Sequence, residues 1–201
     1  ASVTGTDGTQ TPQTISAVAH FGQDSDPAGQ NLVRFRIQDM DGNTGTSGSY
    51  SVLIDTVPPA NPTALSSSSH TVNAWSQDST VSASWSGASD DRSAIVGYSM
   101  QWSHSATTVP DGTIDMSDAY FSEYPLADSD DWYLHVRAVD GAGNPATGAA
   151  HLGPIKIDTL APSTSVSAPG TATSSIFGVS WAGFDNVSGV ASYDIQVRDV
   201  T

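Results

Sequence analysis

The amino-acid sequence predicts an all-β chain of tandem two-sheet sandwiches, and three observations carry that expectation. A long stretch occurs twice in register: Leu32 to Pro59 lies on Trp132 to Pro162, with Arg36 on Arg137, Asp39 on Asp140, Gly42 on Gly143, Asn43 on Asn144 and Asp55 on Asp158. Apolar residues alternate with polar ones over short runs, the period of a strand with one buried face. Ser, Thr, Gly and Asp dominate while Leu and Lys are scarce, a strand-and-turn composition with no ten-residue stretch of helical periodicity.

The recurring stretch reads as two strands and a turn. Trp132, Leu134, Val136 and Ala138 alternate with Tyr133, His135, Arg137 and Val139, which places the first set in a core and His135 on an outward, solvent-facing side. Asp140-Gly-Ala-Gly-Asn144 breaks the run with residues that tolerate positive φ and an Asp that closes a turn on its own backbone. Ile155 and Ile157 resume it, and Pro162, like Pro58-Pro59, marks a domain border because proline cannot donate to a ladder.

A repeat of about a hundred residues fits whole domains in tandem rather than a solenoid. Residues 1–57 are expected to be the C-terminal half of one domain, beginning with a strand at Thr14 to Phe21. Residues 58–158 read through completely, with strands near 63–68, 80–85, 95–102, 119–124, 132–139 and 152–157. Residues 159–201 start the pattern again and stop halfway: Phe177, Val179 and Trp181 match the strand ending at Trp85, and Tyr193 to Val197 matches Tyr98 to Trp102. The two partial repeats together hold 100 residues against 101 in the complete one. They are therefore expected to be complementary parts of one sandwich, completed head-to-tail by another copy or repeat of the chain, since half a sandwich exposes an apolar face and open edges.

Six or seven short strands in a hundred residues is the count of an immunoglobulin-like sandwich. With Ser84-Trp-Ser-Gly, Gly97-Tyr98, Ser180-Trp-Ala-Gly, Ser-Gly-Val-Ala-Ser-Tyr193, the Asp-x-x-Gly-Asn turns and the Ile-Asp-Thr-x-x-Pro borders in view, the chain resembles the fibronectin type III and bacterial immunoglobulin-like repeats of secreted and cell-surface proteins. That resemblance implies tandem immunoglobulin-like (fibronectin type III-like) β-sandwiches in an extracellular setting, where such modules serve as stalks, spacers, adhesin rods or accessory units of secreted enzymes.

Charge and chemistry narrow the function. A net charge of −15 argues against nucleic acid and anionic membranes as partners, and no apolar run is long enough for a membrane-spanning helix. Without cysteine there is no disulfide, and redox chemistry does not fix the compartment. No nucleophile motif or phosphate loop occurs; His20, His70, His104, His135 and His151 are scattered, and the Asp90-Asp91 and Asp130-Asp131 pairs lack the cleft of a glycosidase, so no catalytic residue is expected.

No cofactor is assigned, although structural calcium is weighed. Asp39-Met-Asp41-Gly-Asn43 opens like an EF-hand loop but has Thr44 where glycine is needed and Tyr50 in place of the bidentate Glu. A border site would instead use Asp140 with Asp158, or Asp39 with Asp55, as the resemblance to adhesin repeats implies; the plainer role of these residues is turn capping. Trp85 and Trp181 recur at one inward position and read as core. Trp75, Trp102 and Trp132 leave open a carbohydrate-stacking face, and Asn186-Val-Ser188 is a glycosylation sequon of a kind that arises easily by chance in a Ser-rich chain. The favoured expectation is a structural repeat of an extracellular filament, stalk or adhesin; the competing one is a carbohydrate-binding accessory module.

Overall fold

The computed structural model describes residues 16–21 and 31–198. Among the described residues all regular structure is β, with strands β1 (Leu32–Val33), β2 (Arg36–Gln38), β3 (Thr44–Thr46), β4 (Tyr50–Ser51), β5 (Ala64–Ser67), β6 (Trp75–Ser76), β7 (Thr80–Ser86), β8 (Ile95–Ser103), β9 (Tyr120–Pro125), β10 (Ser129–Asp140), β11 (Ala150–Ile157), β12 (Ser163–Ser167) and β13 (Ser180–Phe184).

Strands β5 to β11 form two sheets, ordered β5-β7-β9 and β6-β11-β10-β8. The inward residues foreseen from alternation meet between them: Ala83 and Trp85 of β7 pack with Tyr98 of β8 and with Leu134, Val136 and Ala138 of β10 in one cluster, while Val81 joins Ile155 and Ile157 of β11 in another. Two sheets sharing a core in this way have the form of a β-sandwich. Trp85 sits edge-on to Tyr98, ring centroids 5.3 Å apart, and 6.1 Å from Phe121. Full burial of residues such as Val81, Leu134, Val136, Ile155 and Ile157 contributes about 1.5–3 kcal/mol apiece relative to exposure.

Among the described residues, the segments before and after this unit hold only two-stranded ladders. In the leading segment, residues 31–57, β2 pairs with β3 and β1 with β4 around the Asp39 turn. In the trailing segment, residues 163–198, β12 pairs with β13, and Val166 faces Trp181 as Leu65 faces Trp85 in the β5–β7 ladder.

Three sequence expectations change. Residues 16–21, the described part of the expected Thr14–Phe21 strand, form no ladder, and neither do Tyr193 to Val197. Apolar alternation makes a strand only where a neighbour offers backbone partners, and these runs find no ladder among the described residues. His135 is not on a solvent-facing surface but fully buried. The connection between β8 and β9 folds over that side of the sheet: Met116 bridges to Tyr98, Arg137 donates to the Pro110 carbonyl at 3.1 Å, and Ser99 Oγ donates to Asp111 at 3.2 Å. Strand β6, absent from the sequence reading, pairs in parallel with the end of β11.

Candidate functional site

The most distinctive surfaces are the open apolar faces of the two flanking segments. Trp181 is 49% exposed where its counterpart Trp85 is 5%, and Phe35 is 61% exposed where Val136 is sealed at 0%. The positions in the repeat are the same and the side chains are apolar in both, so the difference in burial lies in what covers them. In the trailing segment Val166, Val179, Trp181, Tyr193, Ile195 and Val197 line a trough between the β12–β13 hairpin and the extended run after it. In the leading segment Phe35, Ile37, Tyr50 and Leu53 stand in solvent.

A second constellation lies at the border before the central unit. Carboxylate oxygens of Asp55, Asp90 and Asp140 fall within 4.8 Å of one another. Each is held by a local turn. Asp140 Oδ1 accepts from the amides of Ala142 (2.9 Å) and Asn144 (2.8 Å), and its Oδ2 from Asn144 Nδ2 at 2.8 Å. Asp90 Oδ2 accepts from the amides of Arg92, Ser93 and Ala94, which hold its pKa below the usual carboxylate value, the Arg92 amide foremost. Asp55 Oδ1 accepts from Val57 N at 3.0 Å, whereas its Oδ2 is shielded and has no protein partner.

This all-oxygen donor set is the kind that suits a hard cation, yet three carboxylates fall short of the six to eight ligands calcium takes. Both pairings expected from sequence change: Asp140, expected beside Asp158, and Asp55, expected beside Asp39, instead meet each other and Asp90. Asp158 belongs to the following border, where its Oδ2 accepts from Ser188 N at 3.0 Å; a hydrogen bond from the Ser188 side chain is the first cause of its depressed pKa. Asp39 repeats the Asp140 turn bond for bond, accepting on Oδ1 from Asp41 N and Asn43 N and on Oδ2 from Asn43 Nδ2 at 2.7 Å. Turn capping, foreseen for these residues, is what their bonds do. Asn144 adds a role sequence reasoning missed: its Nδ2 also donates to the Asp55 carbonyl at 3.1 Å, tying border to turn.

Each of the three tryptophans weighed for a stacking face has ring or side-chain partners of its own. Trp102 points between the sheets against Phe121 and Tyr124; Trp132 is covered by the ring of His104 at 4.0 Å and donates to the Ala127 carbonyl; Trp75, the most exposed, has Lys156 Nζ over its ring at 5.7 Å. His135 joins Ser103 Oγ at 2.9 Å and His151 Nδ1 at 2.7 Å, a Ser-His-His chain that no spacing rule revealed. Its imidazole is sealed from solvent, and burial, with the neighbouring His151 next, depresses its pKa.

No protein-family model matches the chain, and no curated protein or solved structure resembles it closely enough to count as a match.

Proposed function

We propose that the chain is a structural repeat unit of an extracellular filament, stalk or adhesin, assembled head-to-tail by completing a split sandwich: the leading segment of one copy covers the apolar trough of the trailing segment of another. The carrying observation is the contrast between Trp85, enclosed, and Trp181, open at the same place in the repeat. Strand order supports the immunoglobulin-like reading of the units, because β5-β7-β9 against β11-β10-β8 follows the A-B-E and G-F-C arrangement of such sandwiches. Short borders containing Pro59 and Pro162, with the Asn144 tie across the first, limit swivel and favour an extended rod. A net charge of −15 keeps such rods apart in solution.

The test is a circular permutant that places residues 159–201 ahead of residues 1–158. Joined in that order the two partial repeats lie next to each other, and the reading expects a monomer with two cooperative unfolding transitions and Trp181 quenched from solvent. A permutant with one transition and a solvent-exposed Trp181 would remove the split-sandwich assembly.

A further inference from the structure

The complete unit contains the pattern by which the split one should close. In it β10 pairs with β8 so that Leu134 faces Trp102, Val136 faces Met100, Arg137 faces Ser99 and Ala138 faces Tyr98. The leading segment carries the β10 counterpart, since Arg36 to Asn43 matches Arg137 to Asn144 without a gap, and the trailing segment carries the β8 counterpart from Tyr193 onward. Transferring the register sets Val33 against Val197, Phe35 against Ile195, Arg36 against Asp194 and Ile37 against Tyr193.

We propose that a second copy of this chain docks its residues 32–38 antiparallel along residues 192–198 in this register, selected by an Arg36–Asp194 pair across the junction. The proposal rests on the split-sandwich reading and specifies its partner and alignment. Two independent features of the sequence agree with it. The inward positions of both runs are uniformly apolar, Val33, Phe35 and Ile37 on one side and Tyr193, Ile195 and Val197 on the other, and a slip of one residue would turn every one of them outward. On the opposite face an acid stands where the complete unit has Ser99, directly across from the Arg counterpart, and both Arg36 and Asp194 are exposed. The complete unit needs no charge there, because Arg137 donates instead to the carbonyls of Ala146 and Pro110.

The turn end of the junction does not add to the selection. In the complete unit Gly141 N donates to the Ala94 carbonyl at 2.9 Å, and a Cβ on Gly141 would come within 2.4 Å of the Ser93 carbonyl oxygen. Met40 occupies that place in the leading segment, so the split junction cannot reproduce the approach. Specificity is left to the strands.

Sedimentation velocity on the whole chain tests this with charge exchange. The unaltered chain forms concentration-dependent oligomers; Arg36→Asp and Asp194→Arg each weaken association roughly tenfold, as expected when an opposed pair of unlike charges becomes a like pair. Mixing the two single variants, or combining both changes in one chain, restores it. A cysteine pair gives the register directly, because the chain has no cysteine of its own. Arg36→Cys with Asp194→Cys yields a covalent ladder on oxidation, while Arg36→Cys with Ile195→Cys, on opposite faces, does not. An unaltered chain that stays monomeric overturns both this proposal and the reading beneath it. Association indifferent to the signs at 36 and 194, with no ladder from the first cysteine pair, overturns the register alone.

Discussion

Val166 lies directly across the β12–β13 ladder from Trp181, the relationship that Leu65 has with Trp85, and only the second pair is roofed by another sheet. Equivalent local structure thus occurs in two states of burial within one chain. The comparison separates what a hairpin does by itself from what the second sheet adds.

Substituting the two tryptophans should therefore give different results. Trp85→Ala is expected to destabilise the central unit by about 3–5 kcal/mol, the cost of an emptied aromatic site. Trp181→Ala should leave the denaturant midpoint of that unit unchanged while abolishing oligomers. Urea titrations followed by far-UV circular dichroism, beside sedimentation of the same samples, measure both.

Acidity should weaken the central unit in two stages. The native pKa of His135 lies below its ordinary value of 6.5, so the unfolded chain takes up the proton first; stability is full above that value and falls as pH drops beneath it. Asp78, Asp90, Asp111 and Asp131 have native pKa values below 3.8, each held down first by a hydrogen bond, to Thr80, Arg92, Thr113 and Ser129 respectively. Their contribution is present above 3.8 and is lost as pH falls through the lower native values. Melting temperature recorded from pH 8 to 3 should show both slopes, and His135→Gln should erase the first only.

Removing the Asn144 amide should loosen the border. Asn144→Ala loses the bonds to Asp140 Oδ2 and to the Asp55 carbonyl, costing about 1–3 kcal/mol because one acceptor is a buried carboxylate. Faster proteolytic cleavage between residues 54 and 60, measured against the same chain with Asn43→Ala, reports the border specifically.

Gly141→Ala should be costly despite its small size. The added carbon meets the Ser93 carbonyl oxygen at 2.4 Å, backbone that cannot rotate away, and displacement of the turn breaks its bond to Ala94. Hydrogen exchange at the Gly141 amide is the direct readout, expected to quicken by roughly five- to tenfold if the bond's net value of about 1–1.5 kcal/mol is lost.

Much of this was legible in the amino-acid order because it is local. Alternation through Val81, Ala83 and Trp85, or through Leu134, Val136 and Ala138, needs only a period of two, and the Asp140-to-Asn144 turn is written in five consecutive residues. What escaped depends on segments far apart. The burial of His135 is decided by the connection between β8 and β9, whose packing over the sheet has no periodic signature. Asp55, Asp90 and Asp140 come from three separate segments, so no spacing announces that their carboxylates meet. Strand β6 is two residues long and borrows its partner from the far end of the unit.

That parallel pairing of β6 with β11 has a mechanical consequence. Tension entering from the Pro59 side reaches β6 at its N-terminal end once β5 has been drawn away, while tension leaving through Asp158 pulls β11 at its C-terminal end. The two strands are then dragged lengthwise past each other. The Trp75–Lys156 and Ser76–Ile157 contacts, with the flanking bonds from Asn73 N to the Pro154 carbonyl and from Asp158 N to the Ser76 carbonyl, bear the load at once instead of opening in succession. A clasp of this geometry opens as a unit rather than bond by bond.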